Sequence, residues 1–390
     1  MKPLVVDCET TFFMKGNPYS ECNKLCYVGC FDGNNSSLHR LDFGLHPYGD
    51  ERLRALERIS HYNLFVAFNS KFDIAWLRRY GLHTEHLACW DLQLVDFIIT
   101  GQQTPFPSLD SVCDRCGIRG KSDDLNTKYW SQGIDTTEIP EQELRDYLEG
   151  DLKAEWALFQ WQMKYLEDNP QLKRLCWDAC QDLLVTQEME TNGLYFDFAL
   201  SKELGDGISR RIQELDKLLV QCVTQPVGNW NSNDWISAIL YGGTCLLDIQ
   251  EEFEYEYKDG RVVTKTRKGK LPVTFPRLVE PLKGTALKKA GFWEVNEDVL
   301  HKLKATGVAK KIIGLLLERN KLEKLVGTYF YGWPKLYEEY QWTANIIHGH
   351  LNHAVARTGR LSSSQPNQQN TDPELRRCIK TRFPIQSSIQ

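Results

Sequence analysis

The chain opens with an apolar run that becomes an alternation of apolar and acidic positions, Leu4-Val5-Val6-Asp7-Cys8-Glu9-Thr10. In a strand this pattern puts Val5, Asp7 and Glu9 on one face and Leu4, Val6 and Cys8 on the other. Further alternation predicts strands over 27–31 and 37–43, joined by a turn at Asp32-Gly33-Asn34-Asn35. Leu53, Leu56 and Ile59 carry helical spacing within 50–61, and Leu64-Phe65-Val66-Ala67-Phe68 is a short apolar strand. Ile74, Trp76, Leu77 and Tyr80 then continue as a helix to Gly81. Three strands, a helix, a strand and a helix describe an α/β arrangement. Residues 141–166 predict one long helix with an apolar stripe through Leu144, Leu148, Leu152 and Phe159. Tyr147 and Asp151 lie one turn apart on the stripe side, with Glu149 and Glu155 expected toward solvent.

Beyond Pro170 the spacing predicts helices over Leu175 to Gly193, 201–223 and Asp234 to Tyr241. Between Glu251 and Lys270 strict alternation returns, with Phe253, Tyr255 and Tyr257 before Lys258-Asp259-Gly260 and Val262-Val263-Thr264-Lys265 after it, which is a β-hairpin pattern. Its returning strand carries Arg261, Lys265, Arg267, Lys268 and Lys270. Two readings stay open, an edge protected by charge and a contact for a DNA backbone or a partner. Residues 308–325 predict another helix with basic outer positions. The stretch from Arg357 to Asn370 is dominated by hydroxyls, amides and guanidiniums, a composition suited to phosphate and sugar contacts.

The 390 residues leave room for two or three domains. No window has the length of a membrane span and Met1-Lys2-Pro3 shows no signal-peptide pattern, so the expectation is a cytoplasmic protein with no membrane partner. The 12 cysteines are scattered, which favours reduced thiols. Cys113-x-x-Cys116 lacks a second pair, and His348, His350 and His353 lack an accompanying carboxylate or thiol set, so neither is read as a zinc site. The net charge of -5 conceals an asymmetry: from Lys258 onward 24 Lys and Arg stand against 11 Asp and Glu, while the preceding residues are acidic. A basic C-terminal half suits a polyanion.

Two carboxylates side by side on an apolar strand oppose burial unless a cation or proton relieves them, and oxygen-only ligands favour a hard ion such as Mg²⁺ or Mn²⁺. Asp-x-Glu also fits a solvated turn entry, and Asp73, in the first turn of its helix, also fits a charge that complements the helix dipole. Asp151 on the apolar side of its helix is harder to explain without a partner. Asp7, Glu9, Asp73 and Asp151 thus come from three separated elements, each able to face one site.

The motifs Val6-Asp7-Cys8-Glu9-Thr10, Asn69-x-x-Phe72-Asp73 and Tyr147-x-x-x-Asp151 resemble, in this order, the three motifs of DEDD 3'-5' exonucleases of the tyrosine-bearing variety. The resemblance implies a ribonuclease H-like mixed sheet and two-metal hydrolysis of a 3'-terminal phosphodiester. Asp7, Glu9, Asp73 and Asp151 would then bind two Mg²⁺ or Mn²⁺ ions, and Tyr147 would orient the attacking water. The rest resembles family A DNA polymerases of the bacterial and bacteriophage type. Glu188-x-x-x-Asn192-Gly193 with Asp197, and Glu318-Arg319-Asn320-Lys321-Leu322, resemble their thumb. Thr358-Gly359-Arg360-Leu361-Ser362-Ser363, with Pro366-Asn367 and Gln369-Asn370, resembles the loop that grips primer and template.

These resemblances imply an exonuclease domain over 1–170, a mainly α-helical thumb region over 171–340 with the basic hairpin near 251–270 as a departure, and the start of a truncated palm over 341–390. DNA, as a single-stranded 3' end or a primer-template, is the implied partner. Asn69, Arg357, Thr358, Arg360, Ser362, Ser363, Asn367, Gln369 and Asn370 are its candidate contacts. The family's polymerase carboxylates do not occur before Gln390, so the expectation includes a second polypeptide carrying palm and fingers. The reading is a proofreading exonuclease within a replicative polymerase; the alternative is a catalytically silent primer-template-binding subunit. The exonuclease motifs alone leave DNA and RNA open.

Overall fold

The computed structural model describes residues 1–41, 50–84, 86–118, 124–258 and 261–382. The Asp259-Gly260 turn and the Phe43 end of an expected strand lie outside them, as does Gln390. The chain forms two compact units, 1–198 together with 333–390, and 199–332.

The first unit begins with β1 (Pro3–Thr10), β2 (Leu25–Phe31), β3 (Ser36–Arg40), α1 (Asp50–Ser60), β4 (Leu64–Ala67), α2 (Ser70–Arg79), β5 (Ala88–Asp91) and α3 (Leu92–Ile99). The strands form one mixed sheet in the order β3-β2-β1-β4-β5, with β1, β4 and β5 parallel and β2 and β3 antiparallel to their neighbours. The apolar opening run therefore becomes the middle strand, and Leu4, Val5 and Val6 are buried. After α4 (Leu109–Cys116) and α5 (Asp124–Lys128), the long α6 (Glu141–Tyr165) lies against the sheet through Leu144, Leu148 and Leu152, all fully buried. It packs closely on β2 at Gly29, where a Cβ would stand 2.8 Å from Leu152 Cδ1 and would make that side chain shift.

The helix α7 (Pro170–Asn192) starts with an Asn169 side chain accepting from Leu172 N–H and a proline in its first turn. A domain boundary was expected near 170, yet Cys176, Cys180 and Leu183 enter the same core as the sheet. The physical reason is that α7 has an apolar face to bury and packs it on β5, α2 and α3. The short β6 (Leu194–Phe196) follows.

The second unit holds α8 (Phe198–Val220) from Ala199 on, α9 (Asn233–Tyr241), the hairpin strands β7 (Gly243–Glu256) and β8 (Val262–Phe275), α10 (Glu297–Lys302) and α11 (Gly307–Leu325). Leu219, Ile236, Leu240, Tyr241, Ile312 and Leu316 form its core. The hairpin is longer than its alternation predicts, because its base strands carry Cys245, Val273 and Phe275 into that core. Arg319 is also buried, with its guanidinium donating to Asp216, Asn231 and Glu323.

From Trp333 the chain returns to the first unit through the remainder of α12 (Gly332–Glu339). β9 (Ile346–Ile347) and β12 (Ile379–Lys380) flank β6, and β10 (His350–Asn352) pairs with β11 (Ser362–Ser364), while α13 (Pro373–Arg376) precedes β12. No helix of the described residues is long and apolar enough to cross a membrane.

Candidate active site

β1 pairs with β4 only from Pro3 to Val5. Beyond that point a side chain takes over the edge: Cys8 N–H donates to Asp73 Oδ1 at 3.0 Å. Asp73 is placed there because Asn69, with a left-handed φ of 65°, turns the chain out of β4 and directly into α2. On the same stretch of β1, carboxylate oxygens of Asp7 and Glu9 lie within 4.8 Å of each other and of an Asp151 oxygen on α6. Tyr147, one turn before Asp151, packs edge-on against Trp130 at 5.4 Å between ring centroids. Asp7, Glu9, Tyr147 and Asp151 line an open cleft of about 330 Å³ together with Phe12, Lys15, Phe72 and Trp130. Asp73 stands behind it against Cys8.

Burial, followed by the charge on Asp7, pushes the Asp73 carboxyl well above the usual carboxylate range despite the N–H it accepts. Burial also raises Tyr147, and Glu9, Asp151 and Asp7 raise it further, so its phenol keeps its proton. Oxygen donors that share a space this small and repel one another fit a hard divalent ion, which would relieve the repulsion. Asp7, Glu9 and Asp151 would hold such an ion, with Asp73 beside Asp7. Among the described residues no other three His, Cys, Asp or Glu side chains gather in this way. His348 instead stacks on Tyr19 at 4.1 Å and bonds Glu190 O, and His353 bonds Thr186 Oγ1.

Glu155 was expected toward solvent and is buried, only 2 % exposed. Burial, then Asp7, Asp73 and Asp151, raises its carboxyl well above the usual range; Phe68 N–H partly offsets this, and Glu155 Oε2 makes no hydrogen bond among the described residues. The signal was present, since Leu148, Asp151, Leu152, Glu155 and Phe159 follow helical spacing along one stripe. The second residue missed is Lys71, inside the Asn69–Asp73 motif. Its Nζ donates to Glu190 Oε1 on α7 and to Leu351 O on β10. Nothing local signals a pair spanning so much sequence.

Of the candidate nucleic-acid contacts, Asn69, Arg357, Thr358, Arg360, Asn367, Gln369 and Asn370 are exposed, and Ser362 is half-buried. Ser363 is buried, its hydroxyl accepting from Gln368 N–H at 3.0 Å, so it serves the turn that follows β11.

Residues 271–388 match the family model for DNA polymerase family A. Over 315 residues, 81% of this chain, the sequence is 24% identical to DNA polymerase I of Bacillus subtilis (strain 168), and the match covers 30% of that protein. Over 254 residues, 65% of this chain, it is 28% identical to DNA polymerase I of Geobacillus stearothermophilus, covering 24% of that protein. The chain thus spans less than a third of these curated relatives. Its fold is similar to that of the POL domain of Pol1 from M. smegmatis in complex with DNA primer-template and dNTP, with a TM-score of 0.63 and 15% identity over 96% of this chain and 53% of that one.

Proposed function

We propose, from the similarity of this chain to family A DNA polymerases, that its first unit is a divalent-metal-dependent 3'-5' DNA exonuclease that proofreads during DNA replication. The observation that carries the proposal is the convergence of Asp7, Glu9 and Asp151 oxygens within 4.8 Å, with Asp73 tethered to the same strand. The mixed sheet with β1 at its centre supports a ribonuclease H-like reading of this domain.

Hydrolysis of a 3'-terminal phosphodiester needs an activated water, neutralised charge on the phosphate and a stabilised 3'-oxyanion. When bound, two Mg²⁺ or Mn²⁺ ions supply Lewis-acid chemistry for all three. The protein's own groups do the positioning. The Tyr147 hydroxyl, still protonated, orients the water through a hydrogen bond. Cys8 N–H fixes Asp73 relative to Asp7, and Phe12 and Phe72 offer apolar walls for the terminal base. The exposed Arg357, Thr358, Arg360, Asn367, Gln369 and Asn370 hold phosphates and sugars of a primer-template, in keeping with the polymerase match over 271–388. The exonuclease chemistry requires no second polypeptide; palm and fingers from such a partner would enter only for synthesis.

The test follows a 3'-labelled single strand and a mismatched primer-template with Mg²⁺, beside Asp7→Ala and a chelator. Stepwise release of 3' nucleotides that disappears in both controls is expected. Tight DNA binding with no divalent-dependent cleavage would overturn the proposal and favour a DNA-holding subunit.

A further inference from the structure

We infer that one face of the β7–β8 hairpin is a binding surface for single-stranded nucleic acid, separate from the carboxylate cleft. The register sets Tyr255 opposite Val263, Phe253 opposite Lys265 and Glu251 opposite Arg267, and Tyr257 N–H donates to Arg261 O. Side chains alternate along a strand, so Phe253, Tyr255 and Tyr257 share a face with Arg261, Lys265 and Arg267. Ring contacts agree: Lys265 Nζ lies 3.5 Å from the Tyr255 centroid, and the guanidinium carbons of Arg267 and Arg261 lie 5.6 and 5.4 Å from those of Phe253 and Tyr257. The other face carries Asp248, Glu252, Glu254 and Glu256 with Lys268 and Lys270.

The hairpin therefore sorts its charge by excess: the ring face carries Arg261, Lys265 and Arg267 against Glu251, which accepts from Arg267 Nε at 3.0 Å, while the other face carries four acids against two lysines. Edge protection accounts for lysines on a ribbon but not for this sorting. Cross-strand pairing of rings and cations stabilises the ribbon, yet Tyr255 and Tyr257 stay 42% and 39% exposed. The unit's core does not need them, because the hairpin enters it at the opposite end, through Cys245, Val273 and Phe275. An unpaired polynucleotide uses both chemistries, with bases stacking on the rings and phosphates meeting the cations. A duplex keeps its base faces stacked inside and would leave the tyrosines unused.

Anisotropy of a fluorescent oligothymidylate with the full chain, measured in chelator so that no hydrolysis enters, is compared between the parent and hairpin variants, so that contacts elsewhere on the chain are common to both. Tyr255→Leu with Tyr257→Leu keeps apolar bulk and is expected to weaken binding about tenfold or more, while Tyr255→Phe with Tyr257→Phe leaves it unchanged. Arg261→Gln, Lys265→Gln and Arg267→Gln together lower the salt dependence of log K by about 2. A photo-cross-link from a bromodeoxyuridine oligonucleotide falls on Tyr255 or Tyr257. The inference is overturned if the leucine variant stays within about twofold of the parent, if Glu252→Gln with Glu254→Gln on the acidic face weakens binding equally, or if cross-links fall only elsewhere. The first of these results would leave the hairpin to a protein partner.

Discussion

The first unit buries two groups of acids and treats them in opposite ways. Glu190 on α7 meets Lys71 Nζ and the N–H of Leu351, so its negative charge is answered by a cation and a backbone donor. Asp73 and Glu155 meet other acids: Asp7 acts on both, and Asp73 and Asp151 act on Glu155 as well. A buried charge is tolerated when it is paired and hydrogen-bonded, and otherwise shifts toward its neutral form. Burial pushes even Glu190 up and Lys71 down, so the closed pair depends on its hydrogen bonds. The difference separates structure from chemistry. The Glu190 pair fastens α2 to α7 and β10, whereas the β1 cluster concentrates negative charge where an ion could use it.

The largest effect that could break this comparison is on hydrolysis. Asp7→Ala is expected to slow 3' digestion about 10³- to 10⁴-fold, the several kcal/mol that a metal site supplies. Single-turnover rates on a labelled strand check it, and an unchanged far-ultraviolet spectrum excludes unfolding. Next in size, Lys71→Met leaves Glu190 buried and unpaired and should cost about 3–5 kcal/mol of stability. Adding Glu190→Gln should recover most of that loss; urea melts of both variants would show it, and a harmless Lys71→Met would break the contrast. Tyr147→Phe should slow hydrolysis about 10²-fold through loss of the water-orienting hydroxyl, with divalent-ion affinity unchanged by calorimetry.

The smallest effect concerns Glu155. Its folded carboxyl is raised above the unfolded value of about 4.3, so the native state binds the proton more tightly. Its contribution to stability is present below that value and is lost as pH rises through the folded pKa. In chelator, the wild-type melting temperature should therefore fall with rising pH, and Glu155→Gln should flatten the fall. A steeper fall in the variant would show that the acid cluster does not disfavour another charge.

The first strand and the convergence of the candidate carboxylates were legible in the sequence for the same reason: alternation along Leu4–Thr10 puts Asp7 and Glu9 on one face of a strand, whereas β5 and the order of the strands in the sheet were not. The stripe Leu144, Leu148, Leu152 and Phe159 likewise fixed the side of Asp151. Glu155 was misjudged because an acid invites a solvent reading, although its spacing puts it on that stripe. What stayed hidden is long-range. The Lys71–Glu190–Leu351 link joins segments far apart in sequence, and the return of 333–390 to the first unit depends on β6 gathering β9 and β12, strands of two residues each. The hairpin's full length was hidden because its base pairs extend past the clean alternation.

The most direct test of the central claim is a calorimetric titration of the metal-free chain with Mn²⁺, run beside Asp7→Ala and Asp151→Asn. The account predicts saturable binding by the parent that both substitutions weaken strongly. Equal binding by all three, or none by the parent, would contradict it.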